Sequence, residues 1–150
     1  MTSTRTLIAP KGRRRASPAS IAGAEKSLGV ALPKSLATLL LKTNGGTPSH
    51  QRFATSQPTS WAEDHVRLSE LLGVGYREGI DGELGNKYLI REWGFPPIGV
   101  VLGWTPAYGD EIVMLDYRSS GEPRVVFIDH SREIVPLARS FAEFWKQLTL

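Results

Sequence analysis

Apolar residues three and four positions apart predict two short helices near the start of the chain. Ser17-Pro18 begins the first, because serine accepts a hydrogen bond from the first turn and proline has no N–H that needs a partner there. Gly29 ends this helix, since glycine adopts the left-handed cap conformation easily. In a second helix, residues 33–43, the leucines fall on one face, and Asn44-Gly45-Gly46 ends the helix. We expect a corner between the helices, because few residues join them.

The pattern is weaker in the middle of the chain. Residues 47–64 are rich in Ser, Thr and Pro and predict a loop with one edge strand around Phe53. Alternation over residues 66–69 predicts a half-buried strand, and Leu71-Leu72 predicts a turn of helix after it. The repeated glycines of residues 73–82 then predict a mobile connection.

The second half of the chain predicts one more helix and then a sheet. A helix over about residues 82–93 places Leu84, Tyr88 and Trp93 on one face, and Gly94 ends it. The strands that follow have connections too short for parallel crossovers, so we expect an antiparallel meander. Its predicted strands are residues 98–102, 111–117, 124–129 and 134–136.

The last helix is the best marked. Ser140 and Glu143 have the spacing of a capping box, which satisfies two backbone N–H groups that would otherwise lack partners. Its large apolar face is formed by Phe141, Phe144, Trp145 and Leu148. The predicted fold class is therefore α+β: a mainly antiparallel sheet of four to six strands, packed against two N-terminal helices, a middle helix and a C-terminal helix.

Charge divides the chain into two parts. The first 16 residues hold five of the 18 basic residues and none of the 15 acidic ones, so residues 17–150 carry a net charge of −2. We expect residues 1–16 to form a basic, disordered tail and residues 17–150 to form one domain. A basic nucleic-acid groove in that domain is unsupported, and only the tail could bind nucleic acid.

Composition excludes several classes of protein. The chain has no cysteine, so it has neither disulfides nor thiolate metal sites. No apolar run approaches the roughly 20 residues of a membrane span, and no signal peptide follows the first basic residues. We therefore expect a cytoplasmic protein that does not enter membranes.

Chemistry-bearing residues do not assemble into a catalytic pattern. His50, His65 and His130 lack metal-ligand spacing, and no nucleophile elbow or phosphate-loop lysine is present. A site around His130 with Asp129 and Glu133 is better explained by the polarity of a turn. We predict that the protein is not an enzyme and uses no metal or cofactor.

Aromatic residues in loop-like segments favour binding instead. Large aromatic side chains on a rigid scaffold bury much area for little entropy. For Trp61 and Trp104 the alternative is that they cover the edge of the core, and for Asp110 the alternative is that it shapes a turn. Acidic residues nearby would complement a basic partner. The predicted partner-binding residues are Trp61, Tyr76, Trp104, Tyr108, Asp110 and Glu111.

Four pieces of the chain, in order, resemble a known family. They are the helix junction from Leu28-Gly29 to Leu32-Pro33, the stop at Asn44-Gly45-Gly46, the strand from Gly109 to Asp116 with its glycine hairpin, and the closing Ser140–Phe144 segment. This order resembles the SUKH superfamily, in the branch similar to the fungal Smi/Knr cell-wall assembly regulators. The resemblance covers about residues 17–148 and implies an α+β fold.

The resemblance also implies a function. Most bacterial members of that family are regarded as immunity proteins that bind polymorphic or contact-dependent toxins, often nucleases, and fungal members are non-catalytic regulatory hubs. The family has no shared catalytic residues. We therefore predict an immunity-type protein-binding module whose partner is a basic toxin, with a regulatory scaffold that binds an endogenous protein as the alternative.

Overall fold

Four helices surround a sheet in the computed structural model, which describes residues 5–60, 62–107 and 110–150. The helices are α1 (Pro18–Leu28), α2 (Lys34–Lys42), α3 (Asn86–Trp93) and α4 (Phe141–Gln147). The strands are β1 (Leu7–Ile8), β2 (Thr47–Pro48), β3 (Arg52–Ala54), β4 (His65–Arg67), β5 (Glu70–Leu71), β6 (Gly99–Trp104), β7 (Ile112–Asp116), β8 (Arg124–Ile128) and β9 (Ile134–Ala138).

The main sheet is an antiparallel meander of five strands in the order β5-β6-β7-β8-β9. Two smaller antiparallel pairs, β1 with β2 and β3 with β4, lie beside it. Every residue of the central strand β7 is buried, as expected for a strand covered on both faces. The predicted α+β fold, with its antiparallel sheet and four helices, is confirmed.

The C-terminal helix closes the core. α4 packs against β3, β8, β9 and α2. Phe144 is fully buried and stacks on Phe53, with 5.1 Å between ring centroids. Phe141 and Leu148 are also buried, so the predicted apolar face of this helix is confirmed as core.

The predicted helix caps are present. The Ser17 hydroxyl oxygen accepts a hydrogen bond from the Ser20 N–H at 3.0 Å, and the Ser20 hydroxyl oxygen accepts one from the Ser17 N–H at 2.8 Å. Gly29 caps α1 in the left-handed conformation, with φ 75°. Ser140 accepts from the Glu143 N–H at 3.2 Å; of the two bonds of the predicted capping box, this is the one found among the described residues. These caps depend on residues a few positions apart, which is why the sequence alone reveals them.

Strand β5 and helix α3 are among the elements that differ from the sequence pattern. Leu71 does not begin a helical turn but belongs to strand β5, because its N–H and C=O both bond to Gly46 and its strand pairs with β6. α3 begins at Asn86 rather than near residue 82. The preceding turn is held by other bonds: Gly85 N–H donates to Gly82 C=O and Leu84 N–H to Arg77 C=O.

The described part of the N-terminal segment lies on the domain. Leu7–Ile8 pairs with Thr47–Pro48, and Ala16 is buried, with its N–H donating to Leu40 C=O at 3.3 Å. Arg5 donates to the backbone carbonyls of Lys146 and Leu148. The charge pattern predicts a disordered tail here, whereas residues 5–16 are held by backbone pairing and buried apolar contacts that net charge does not report.

No helix within the described ranges is long and apolar enough to cross a membrane.

Candidate functional site

Backbone bonds shape the segment that carries Tyr76. Ile80 is fully buried, its N–H donates to Gly73 C=O at 2.8 Å, and its C=O accepts from Asn86 N–H at 2.9 Å. A Cβ at Gly79 would lie 2.8 Å from the Gly73 carbonyl oxygen, and one at Gly85 would overlap the Gly79 carbonyl oxygen. Of the glycines that predict a mobile connection, Gly73, Gly79 and Gly82 therefore allow close backbone approach.

Asn44 fixes this segment against the end of α2. Its amide nitrogen donates to Val74 C=O at 2.8 Å and to Arg14 C=O at 3.2 Å. Its amide oxygen accepts from Val74 N–H at 2.9 Å. Asn44 is only 5% exposed, so these bonds satisfy polar groups that water cannot reach. From the sequence Asn44 is a helix stop; its partners are 30 residues away and leave no local signal.

Two contacts fix the Tyr76 side chain, one at its hydroxyl and one at the face of its ring. Its hydroxyl accepts from Gly73 N–H at 2.8 Å, and the Arg13 guanidinium carbon lies 3.7 Å from the centre of its ring. Burial raises the pKa of Tyr76, so it remains a neutral phenol at physiological pH. The guanidinium over its face is a cation–π contact.

Asn86 holds α3 against the sheet in the same way that Asn44 holds the Tyr76 segment. Its amide nitrogen donates to Gly99 C=O at 3.1 Å, and its amide oxygen accepts from Val101 N–H at 2.9 Å. This clamp places the aromatic residues of α3 opposite Trp104 at the end of β6. The sequence pattern does not predict it.

An open cavity of about 420 Å³ lies between α3 and the edge of the sheet, and we call it the aromatic groove. Trp93, on its rim, is 45% exposed, and Leu89, at its base, is buried. Two carboxylates belong to the wall. The lining residues are Glu70, Glu78, Leu84, Tyr88, Leu89, Trp93 and Trp104.

The carboxylates of the groove have unusual surroundings. Burial raises the pKa of Glu70, while Arg13 opposes the rise and Glu78 adds to it. Within the described ranges neither Glu70 nor Glu78 has a hydrogen bond or ion pair through its carboxylate. A half-buried carboxylate without a partner is energetically unfavourable in its charged form. A hydrogen-bond donor from a binding partner would stabilise it.

Tyr76 and Trp104 lie on the same side of the molecule. Glu78 lines the aromatic groove and also a neighbouring cavity, which is bordered by Tyr76 and Arg13. Two predicted site residues, far apart in the sequence, are thus brought together around one glutamate.

Asp110 and Glu111 have opposite environments. Asp110 is exposed, and its carbonyl accepts from Arg132, which also donates to Trp93 C=O at 2.7 Å. Asp110 therefore lies beside the Trp93 end of the groove. Glu111 is 4% exposed, accepts from the Ser60 hydroxyl and lies 4.0 Å from His130 Nδ1.

The remaining predicted residues, Trp61 and Tyr108, lie outside the described residues. The sequence pattern also missed the larger part of the groove. Tyr88 and Trp93 fall on the predicted apolar face of a helix, which usually means core. Nothing local distinguishes a covered apolar face from an open one.

The described part of the chain holds no group of three or more His, Cys, Asp or Glu side chains arranged to bind a metal ion. His65 is paired with Asp64 at 2.8 Å, and this hydrogen bond lowers the pKa of Asp64. The arrangement that the structure does offer is an aromatic groove with carboxylates, which is suited to binding.

Comparison with known families assigns this α+β domain to one of them. The model of the SMI1 / KNR4 family (SUKH-1) matches residues 15–147, nearly the whole chain. The protein belongs to this family, as the order of its motifs predicts. No curated protein and no solved structure matches the chain significantly.

Proposed function

We propose that this protein is an immunity protein that neutralises a toxin by binding over the toxin's functional surface. The aromatic groove is the interface in this proposal. The observation that carries it is the exposed Trp93 beside two carboxylates that have no partner in the described part of the chain. Membership in the SMI1 / KNR4 family supports a protein partner in general.

Aromatic residues at an open groove are suited to a protein interface. Tryptophan and tyrosine dominate the residues that contribute most to binding, because they bury a large area and lose little entropy. Trp93, Tyr88 and Trp104 stand together on elements fixed by the Asn86 clamp. A rigid scaffold lowers the entropy lost on association.

The charge of the groove favours a basic partner. Glu70 and Glu78 line it, and Asp110 lies beside its Trp93 end. A nuclease toxin has a basic surface where it binds phosphate, and an acidic inhibitor would associate faster through electrostatic steering. The absence of cysteine fits a reducing compartment, so the proposal places this encounter in the cytoplasm.

Co-expression tests the proposal. Each candidate toxin encoded beside this gene is expressed with the protein, and cell growth is measured. We expect one toxin to be neutralised, and Trp93→Ala to weaken its binding by about tenfold or more, as loss of a central aromatic does. Ile8→Ala is the matched control, because Ile8 is 69% exposed and lies on β1, outside the groove.

Two outcomes would count against the proposal. One is that no neighbouring toxin candidate is neutralised. The other is that the Trp93 variant protects as well as the wild type, while its circular dichroism spectrum shows a native fold.

The alternative is a regulatory scaffold that uses the same groove for an endogenous protein. The family match supports both functions equally, because both occur under the same fold. A partner captured by the wild type and lost with Trp93→Ala, in cells that carry no toxin gene, would favour the scaffold.

A further inference from the structure

We infer that the aromatic groove takes an arginine side chain of the partner protein, with its guanidinium against the Trp93 and Trp104 rings and between the carboxylates of Glu70 and Glu78. This inference rests on the proposed function, because it specifies the chemistry that the same groove recognises.

The shape and lining of the groove suit a guanidinium. Its walls carry three aromatic side chains, Tyr88, Trp93 and Trp104, in a cavity of about 420 Å³. A planar guanidinium stacks on aromatic faces and is more weakly hydrated than an ammonium, so it enters such a groove at a lower desolvation cost. Apolar surface from Leu84 and Leu89 is available to the methylene groups of an arginine.

The negative charge of the groove favours binding of a cation. Glu70 is half-buried, and both its burial and the nearby charge of Glu78 raise its pKa. The structure gives their carboxylates no hydrogen bond or ion pair among the described residues. A guanidinium has five N–H donors in a fixed fork and can satisfy two carboxylates at once, whereas an ammonium is a point charge.

The chain already shows this chemistry with its own arginines. Arg13 lies over Tyr76 at 3.7 Å, and Arg132 lies over Phe95 at 4.1 Å, both measured from the guanidinium carbon to the ring centre. Arg13 is not a lining residue of the aromatic groove, although its charge lowers the pKa of Glu70. It therefore compensates the acidic groove from one side and leaves the groove itself open.

Peptide titration tests the inference. The full-length protein is titrated with the peptide acetyl-Leu-Arg-Leu-amide, and with the same peptide carrying citrulline, which has the shape of arginine without its charge. The indole N–H signals are followed by NMR, and Trp93→Phe identifies the signal of Trp93. We expect a saturable shift of that signal with arginine, and about tenfold weaker binding with citrulline, in line with a charge-assisted contact.

Charge variants sharpen the test. Glu70→Gln and Glu78→Gln should each weaken arginine-peptide binding by about fivefold, whereas Arg13→Gln should strengthen it by about twofold, because it removes a competing positive charge. Glu122→Gln is the matched control, since it removes the same charge from the β7–β8 hairpin, outside the groove. Glu78 is exposed, so its variant should fold even if the Glu70 variant does not.

The outcomes separate this inference from the proposed function. Equal affinity for the arginine and citrulline peptides, or unchanged affinity in the Glu78 variant, would overturn the arginine site even if Trp93→Ala abolished toxin neutralisation. Selective arginine binding would establish the site even if no toxin were neutralised, and the immunity function would then be wrong.

Discussion

Two buried asparagines, Asn44 and Asn86, position the segments that form the candidate site. Asn44 and Asn86 each use both ends of the amide to join a helix to backbone that is distant in sequence. The first supports the segment that carries Tyr76, and the second supports the helix that carries Trp93. Neither residue contacts the proposed ligand site directly, so both are positioning residues.

The residue scale also shows the limit of sequence reasoning. Ser17, Gly29 and Ser140 were predictable because a cap depends on residues within the same turn. Asn44 and Asn86 were not, because an asparagine near a helix end also fits an ordinary turn. Their partners became clear only once the fold placed those backbone groups beside them.

Asn44→Ala tests the first clamp. It leaves the Val74 N–H and two backbone carbonyls without partners in a buried place, so we expect a loss of about 3 kcal/mol in the free energy of unfolding. Urea denaturation measures this loss. Ser27→Ala, at a position on α1, is the control and should change stability by less than about 0.5 kcal/mol. An unchanged midpoint for Asn44→Ala would show that water replaces these bonds.

Asp116 provides a pH-dependent test. Hydrogen bonds from Arg118, at 2.7 Å from Nη2 and 3.0 Å from Nε, lower the pKa of this buried carboxyl. Its contribution to stability is therefore present above the unfolded-state pKa of 3.8 and is lost as pH falls through the lower folded-state pKa.

We expect Asp116→Asn to lose about 1 kcal/mol at neutral pH, a modest figure because the Arg118 side chain is largely exposed. Denaturation curves of both proteins should converge as the pH is lowered below 3.8. A gap that stayed constant down to the lowest pH would show that the carboxylate charge is not the cause.

At the scale of elements, length and local pattern decided what could be predicted. The long strands β6, β7 and β8 and all four helices follow from apolar periodicity. The two-residue strands β1 and β5 do not, because so short an element exists only through its distant partner. The aromatic groove likewise depends on segments that are distant in sequence, since it forms where α3 meets the edge of β6.

α4 offers the clearest test of packing. Phe144→Ala removes a fully buried ring that stacks on Phe53, so we expect destabilisation of about 3–5 kcal/mol. Phe144→Leu should cost less, because it leaves a smaller cavity. Thermal unfolding measures both. If Phe144→Leu were as stable as the wild type, the stacked ring would contribute no more than its aliphatic replacement.

At the scale of the whole molecule, charge and position are linked. The chain carries +3, yet residues 17–150 carry −2, and the basic residues of the N-terminal segment lie beside an acidic groove. Composition revealed that the basic and acidic residues are separated along the sequence, but not that the basic segment folds back beside the groove. The contact between Arg13 and Tyr76 depends on the folded path of residues 5–16.

Removal of residues 1–16 tests whether this segment belongs to the domain. The deletion loses the β1–β2 pairing, the buried Ala16 and the contacts of Arg5 and Arg13. We expect the free energy of unfolding to fall by about 2 kcal/mol. Chemical denaturation of the full and shortened chains would detect this difference. Identical curves would show that the segment is an independent tail.

The contact between Arg5 and the carbonyl of Leu148, at 2.9 Å, joins the first described residue to the C-terminal segment. Thr149 reinforces the junction through backbone bonds to Arg52. A short Gly-Ser linker could therefore join Arg5 to Leu150, and the exposed hairpin between Ser120 and Gly121 could supply new termini. Such a circular permutant should keep the native spectrum and would carry both of its termini in the β7–β8 hairpin.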